Sequence, residues 1–286
     1  MSDRLTVSKT YKLYVGGAFP RSESGRTYPV ADARGKFLAN AAQGSRKDLR
    51  EAVVAARGAF GKWSGATAYN RGQVLYRVAE VLEGRREQFV SEVAAGEGVQ
   101  PKKAAQLVDA AIDRWVWYAG WTDKVATVFG AANPVAGPYF SFSVPEPSGV
   151  VGVLAPQKSS LLGLVSVLAP AIATGNTAVV VTSQDRPLPA ITLGEVLATS
   201  DVPGGVVNLI TGHTAEMAPW LAAHADVNAL DLVGCAPEQR ADLERAAAGT
   251  VKRVLRGSEP DWLADPGITR LRAFLETKTV WHPMGV

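Results

Sequence analysis

The side chains best suited to covalent, acid–base or metal chemistry are few and scattered in this sequence. One cysteine, Cys235, and three histidines, His213, His224 and His282, stand far apart, so neither a disulfide within the chain nor a metal-ligand spacing is present. A lone cysteine at the end of an apolar run reads as a small filler of the core. His213, alone in a turn, has the donor type for a phosphate but reads more simply as a solvated loop residue. Asp109 and Asp113 lie one helical turn apart, the spacing of an acid–base carboxylate pair; with Lys102, Lys103 and Arg114 close by they read as a solvated, charge-paired face. Trp115, Trp117, Tyr118 and Trp121 gather near one helix end, as expected of core packing or an interface rather than a ligand box. Gly-x-Ser-x-Gly elbows, Walker loops and Cys-x-x-Cys pairs are absent from the sequence.

Composition narrows the classes further. The chain has 286 residues, 47% of them hydrophobic, enough for a packed core and too many for wholesale disorder. Thirty Lys and Arg against 27 Asp and Glu leave a scattered surplus of three charges, which is not a nucleic-acid signature. The longest apolar run, Leu161–Ala173, contains Pro170 and is too short to span a bilayer. No apolar segment follows Met1-Ser2-Asp3-Arg4, so no secretory signal is expected, and the simplest location is the cytosol.

The elements that must position any site follow from periodicity. The first forty residues alternate short extended pieces with turns and read as a leader laid on something else. A helix begins at Ser45, whose partner Asp48 completes a capping pattern, with Leu49, Val53, Ala56 and Phe60 on one side. A second follows Asn70 and carries Val74, Val78, Val81 and Leu82, with Arg85, Arg86 and Glu87 as a solvated end. A third has Pro101 in its first turn and Leu107, Ala111, Trp115 and Tyr118 along one face. Between residues 138 and 149 the pattern changes to period two, a β-strand. From Val150 short apolar runs alternate with helical stretches: 150–154, 177–181, 206–210, 229–233 and 252–255 as strands, 161–173, 189–199, 215–224 and 237–247 as helices. Such Val-rich runs are buried on both faces, and the alternation predicts an α/β fold with a doubly wound parallel sheet, Rossmann-like in class. After residue 256 a short linker, 257–270, leads to a last extended run, Leu271–Trp281.

Four motifs give the pattern a likeness. Tyr11-Lys12-Leu13-Tyr14-Val15-Gly16-Gly17, Gly149-Val150-Val151-Gly152-Val153-Leu154-Ala155-Pro156, Gly175-Asn176-Thr177-Ala178-Val179-Val180 and Pro203-Gly204-Gly205-Val206-Val207-Asn208 occur in the order and spacing of the aldehyde dehydrogenase superfamily. Lys278-Thr279-Val280-Trp281-His282-Pro283 resembles that family's carboxy-terminal arm. The resemblance implies a dinucleotide-binding domain and a β oligomerisation arm, with the catalytic domain missing from between them. It divides the chain into a leader and helical part (1–137), a β-arm strand (138–149), the parallel sheet (150–256), the linker in place of the catalytic domain (257–270) and the arm (271–286). In the family a Glu-Leu-Gly-Gly-Lys signature opens the catalytic domain where Arg256-Gly257-Ser258-Glu259-Pro260 stands here.

Aldehyde oxidation through a thiohemiacetal needs a thiolate, donors for the oxyanion, a base for thioester hydrolysis and a nicotinamide to accept hydride. By the resemblance, Gly234-Cys235 stands where the family carries a cofactor-contacting Gly-Ser, so Cys235 is not the nucleophile. The family's oxyanion asparagine is matched by Lys158, read as a solvated loop cation. Its ribose-holding lysine and glutamate are matched by Val181 and Gln184, and its glycine-rich phosphate turn is reduced to Gly212 alone, with Ala218 at a second glycine position. Two lost charge-assisted hydrogen bonds at about 1.5–3 kcal/mol each weaken a dinucleotide by roughly two to four powers of ten.

The expectation is therefore a pseudoenzyme with no catalytic residue, no metal and weak NAD(P) binding at most. Its degenerate cofactor positions are Lys158, Val181, Gln184, Gly212, Gly234 and Cys235. It is expected to form a hetero-oligomer with a full-length active aldehyde dehydrogenase subunit through the β arm, using Leu271, Phe274, Leu275, Lys278, Val280 and Trp281, with neither nucleic acid nor membrane as partner. A residual dinucleotide-binding sensor without catalysis is the alternative.

Overall fold

A computed structural model describes residues 7–257 and 259–285. The expectation about Met1–Arg4 lies outside these, as do Ser258 and the final residue of the arm. A hairpin of β1 (Thr27–Ala31) and β2 (Phe37–Ala42) precedes the helices α1 (Arg46–Ser64), α2 (Ala68–Gly84), α3 (Arg86–Glu97), α4 (Pro101–Ala119) and α5 (Val125–Phe129). Two strands follow, β3 (Ala131–Asn133) and β4 (Tyr139–Pro147). The βα alternation then runs β5 (Val150–Leu154), α6 (Leu162–Ala173), β6 (Thr177–Val181), α7 (Leu188–Ala198), β7 (Val207–Ile210), α8 (Thr214–Ala223), β8 (Ala229–Asp231), α9 (Arg240–Ala248) and β9 (Arg253–Leu255). The chain closes with α10 (Thr269–Ala273) and β10 (Leu275–Pro283).

The predicted parallel sheet is present, in the order β7-β6-β5-β8-β9. Every residue of β5, β6, β7 and β8 is buried, which is why their sequences are continuous apolar runs. One side is covered by α6 and α7 with α2, α3 and α4 behind them, the other by α1, α8 and α9. α1 carries the expected capping box, the Ser45 side chain accepting from Lys47 and Asp48 N–H while Asp48 accepts from Ser45 N–H. α6 is buried along its whole length, so its last carbonyls must be satisfied from within. Trp63 Nε1 donates to Ile172 O at 2.9 Å and Arg71 Nε to Ala173 O at 3.2 Å.

Two asparagines of the motifs act as bolts. Buried Asn176 accepts from Gly149 N–H at 2.9 Å and donates to Phe274 O at 3.0 Å. Asn208 accepts from Gly16 N–H at 2.9 Å and donates to Gly205 O at 2.8 Å. The leader meets the sheet at Tyr14, which exchanges main-chain hydrogen bonds with Leu209 at 3.0 and 2.7 Å. β7 is thereby not left as an open edge.

The structure corrects the sequence at three places. Arg85 is not part of a solvated end; it lies between α2 and α3, a helix the periodicity did not separate, and pairs with Glu195 at 2.5 Å. The extended run expected over Leu271–Trp281 starts four residues late, because Leu271 sits in α10 and packs in the core. Arg114 is buried and not on a solvated face: its Nη2 donates to Trp262 O at 2.8 Å and Ala264 O at 3.2 Å. The segment before α10 is thus a fixed strap. Among the described residues no helix is long and apolar enough to cross a membrane.

Candidate functional site

In an open parallel sheet ligands are received beyond the carboxyl ends of the strands, where the strand order reverses. Here that reversal lies between β5 and β8. A crevice of about 540 Å³ opens there, lined by the loops after β5, β6 and β8, the start of α8, and Glu259 from the strap. Lys158, Gln184, Gly234 and Cys235 meet in this crevice. Val181 does not line it; its side chain is buried in the second core cluster. Gly212 does not line it either; with φ +141° it packs where a Cβ would lie 3.1 Å from Gly44 N.

Gln157 organises the crevice, and nothing in its residue type announced that. Its Nε2 donates to Ala155 O at 2.7 Å, its Oε1 accepts from Gln184 N–H at 3.0 Å, and its carbonyl accepts from the Ser183 hydroxyl at 2.9 Å. These bonds clasp the loop after β5 to the loop after β6. From α3, Glu97 Oε1 accepts both the N–H and the hydroxyl of Ser160 at 2.7 Å, holding the far end of the same loop. Gln157's own N–H faces the strap and donates to Glu259 Oε1 at 3.0 Å. Lys158 is exposed, as a solvated cation should be, with Arg186 on its carbonyl.

Gly234 must be glycine. Its N–H donates to Leu154 O at 3.0 Å, and a Cβ would overlap the Ala155 carbonyl. That close approach draws Cys235 inward: it is 7% exposed, packs in the second core cluster, and donates its N–H to Leu232 O at 3.1 Å. Arg240, from α9, stands beside it, and the Cys235 sulfur holds that guanidinium above its ordinary pKa. Arg240 also donates to Gly257 O at 3.1 Å. Thr214, at the first turn of α8, lines the crevice with a buried hydroxyl that has no partner among the described residues. Neither Thr214 nor Arg240 nor Glu259 was singled out from the sequence; each reaches the site only through the tertiary fold.

The other candidates are placed elsewhere. His213 packs against Tyr28 with the rings tilted by 39° and their centroids 5.7 Å apart, outside the crevice. Asp109 receives two hydrogen bonds from Arg86 at 2.6 and 2.9 Å, and that partner lowers its pKa, while Asp113 is exposed and forms no pair with it. Trp115 and Tyr118 are core residues; burial pushes the Tyr118 phenol up to about 12. No group of three or more His, Cys, Asp or Glu among the described residues is placed to hold a metal.

At the opposite end lies the arm. β10 pairs antiparallel with β4 from Leu275↔Pro147 to Pro283↔Tyr139, and β3 takes β4's other side, leaving β10 as an edge strand among the described residues. Of the six residues expected to face a partner, Leu271, Phe274 and Leu275 are buried within this chain and cannot. Leu271 is turned inward by α10, Phe274 caps that helix, and Leu275 is the buried first residue of β10. Lys278 is paired with Glu146 at 2.9 Å and Val280 is half-buried. Trp281 is 58% exposed, edge-on to Tyr139 at 5.9 Å, with Phe140 exposed nearby on β4.

The profile of the aldehyde dehydrogenase family matches residues 19–256. The mitochondrial aldehyde dehydrogenase family 2 member B4 of Arabidopsis thaliana is 35% identical over 264 residues, covering 89% of this chain and 48% of that protein. The 2-hydroxymuconic semialdehyde dehydrogenase of Pseudomonas sp. (strain CF600) is 34% identical, covering 84% and 51%. Among solved structures, HpcC from Thermus thermophilus superposes with a TM-score of 0.82 at 30% identity, over 86% of this chain and 47% of that one. The NAD+ complex of the aldehyde dehydrogenase from Bacillus cereus superposes at 0.80 and 26% identity, over 86% and 50%.

Proposed function

Because the chain belongs to the aldehyde dehydrogenase family while spanning about half the length of the relatives it matches, we propose that it is a non-catalytic, cytosolic subunit that assembles with a full-length NAD(P)-dependent aldehyde dehydrogenase and stabilises or regulates it. The observation that carries this reading is the β4–β10 ribbon. It offers an edge strand of nine residues flanked by exposed Tyr139, Phe140 and Trp281. An unpaired edge takes up another strand through main-chain hydrogen bonds, and a large aromatic beside it supplies specificity. The absence of catalysis rests on Cys235, set in the core beneath Gly234. Purification of the tagged chain from its native cell should bring an aldehyde dehydrogenase with it in defined stoichiometry. A chain that runs as a monomer in native extract would refute the assembly.

A second reading, a dinucleotide sensor without catalysis, is favoured by the crevice itself, which Lys158, Arg240 and a Thr214 hydroxyl without a partner among the described residues all line. The first reading expects NAD affinity to be millimolar or absent. At a ligand concentration equal to its dissociation constant, linkage supplies only about 0.4 kcal/mol, so 1 mM NAD should shift the melting temperature little. Micromolar binding by calorimetry would favour the sensor.

A further inference from the structure

The described residues of the strap between β9 and α10 are anchored at several points. Arg240 holds Gly257 O, Arg114 holds the carbonyls of Trp262 and Ala264, and Arg270 is ion-paired with buried Asp231. Trp262 packs against the main core with the Arg270 guanidinium 5.5 Å above its ring. Asp261 and Asp265 each accept a main-chain N–H two residues on, from Leu263 at 3.0 Å and Gly267 at 2.8 Å, which stiffens the bends. These contacts place Glu259 over the crevice with its carboxylate on Gln157 N–H.

Apart from Asp185, the groups around Glu259 at that point favour an anion. Lys158 and Arg240 line the crevice, and α8, ten residues long, directs its first turn at it. Thr214 there is 8% exposed, with a hydroxyl that bonds to nothing among the described residues. Among the described residues two carboxylates line the crevice, Asp185 and Glu259, and Glu259 holds a main-chain N–H there, while Glu244 acts on Arg240 from outside the lining.

We propose that the strap is an internal cap, with Glu259 standing in the position that a diphosphate or other dianionic group would take on Gln157 N–H and beside Lys158 and Arg240. The proposal is independent of the assembly described above and does not need a partner. An entering anion must displace the carboxylate or lie against it, and like charges in contact oppose binding. The crevice is therefore regulated by the strap: whatever draws the strap away from the sheet opens it.

Titration calorimetry of inorganic pyrophosphate into the full chain and its Glu259→Gln variant, at low salt, tests this. Glutamine keeps the shape and the acceptor oxygen and removes only the charge. The variant should bind pyrophosphate at least roughly tenfold more tightly than the unaltered chain, and its Gln157 amide resonance should move on binding. Adding Thr214→Val to Glu259→Gln should take back part of that gain. Equal affinities for the unaltered chain and Glu259→Gln, including no binding by either, overturn the proposal, as does a gain that leaves the Gln157 amide unmoved.

Discussion

The guanidinium of Arg114, in the second half of α4, donates at 2.8 Å to the main-chain carbonyl of Trp262, 148 positions later in the chain. One buried side chain thus fastens the helical layer to the strap.

Replacing Arg114 with methionine keeps most of the length and removes both donors, leaving the carbonyls of Trp262 and Ala264 without them. Hydrogen bonds to a charged donor contribute about 1.5–3 kcal/mol each, so losing both should cost the variant about 3–6 kcal/mol in urea melts. Trp262 emission should shift to the red as the strap loosens. A variant with unchanged midpoint and emission would mean the strap is held by its other contacts.

The pair of Asp231 and Arg270 is harsher to break. Asp231 is fully buried, and burial raises its pKa despite the nearby guanidinium. Arg270→Met leaves that carboxylate alone in the core and should cost about 3–5 kcal/mol. Adding Asp231→Asn should recover much of the loss, measured as a double-mutant cycle by chemical denaturation. Losses that simply add would show that the two residues do not act as a pair.

Glu92 predicts a pH dependence. Its Oε1 accepts from Thr192 at 2.9 Å and Gln88 at 3.1 Å, while its Oε2 is buried without a partner among the described residues. Burial raises its pKa above the ordinary 4.5, outweighing those bonds and Lys9. The folded state therefore holds this proton more tightly than the unfolded chain. The stability it contributes is complete below the ordinary value and is lost as pH rises through the folded one. Thermal melts in that window should show Glu92→Gln with a flatter pH profile than the unaltered chain; superimposable profiles would remove Glu92 as the cause.

The arm must be cut at the right residue. Removing Glu276–Val286 should abolish co-purification of the partner and preserve helical content, and Trp281→Ser should weaken the same association. Removing Leu271–Val286 should instead unfold the chain. It deletes Leu271 and Phe274 from the core, where truncating a large side chain costs about 2–5 kcal/mol. A partner retained at full yield by the shorter deletion would place the interface elsewhere.

Activity supplies the last test. The chain alone should not reduce NAD or NADP with short-chain or aromatic aldehydes, and Cys235→Ser should leave its assembly unchanged. Turnover that persists through purification and vanishes in Cys235→Ser would make this an enzyme.

What the sequence made legible depended on how local the cause was. β5 and β6 fall on the predicted residues, because burial on both faces writes itself as an unbroken apolar run. The Ser45 cap was equally plain, since both partners lie within one turn. α3 was hidden by its charged start at Arg86-Glu87, which looks like the end of the helix before it. In the arm, Leu271, Leu275 and Trp281 fit a two-residue period, while Leu271, Phe274 and Leu275 also fit a helical turn. The core, which the sequence did not display, drew Leu271 into a short helix that Phe274 caps, while Leu275 opens the strand. Of the site, Lys158, Gln184, Gly234 and Cys235 were found by likeness to the family. Glu259 and Gln157 are 102 positions apart, and no local pattern links them.

The bridge between Tyr14 and Leu209 sets a timetable for biosynthesis. Tyr14 leaves the ribosome well before its partner, since the strand it must pair with emerges roughly 200 residues later, on the order of 10–40 s at usual rates of synthesis. Throughout that interval Leu13 and Tyr14, wholly buried in the finished protein, lack the sheet that covers them. A nascent chain of this kind is a ready client for chaperones. Its yield in a cell should respond to translation speed across residues 15–210 more sharply than to changes near the carboxy terminus.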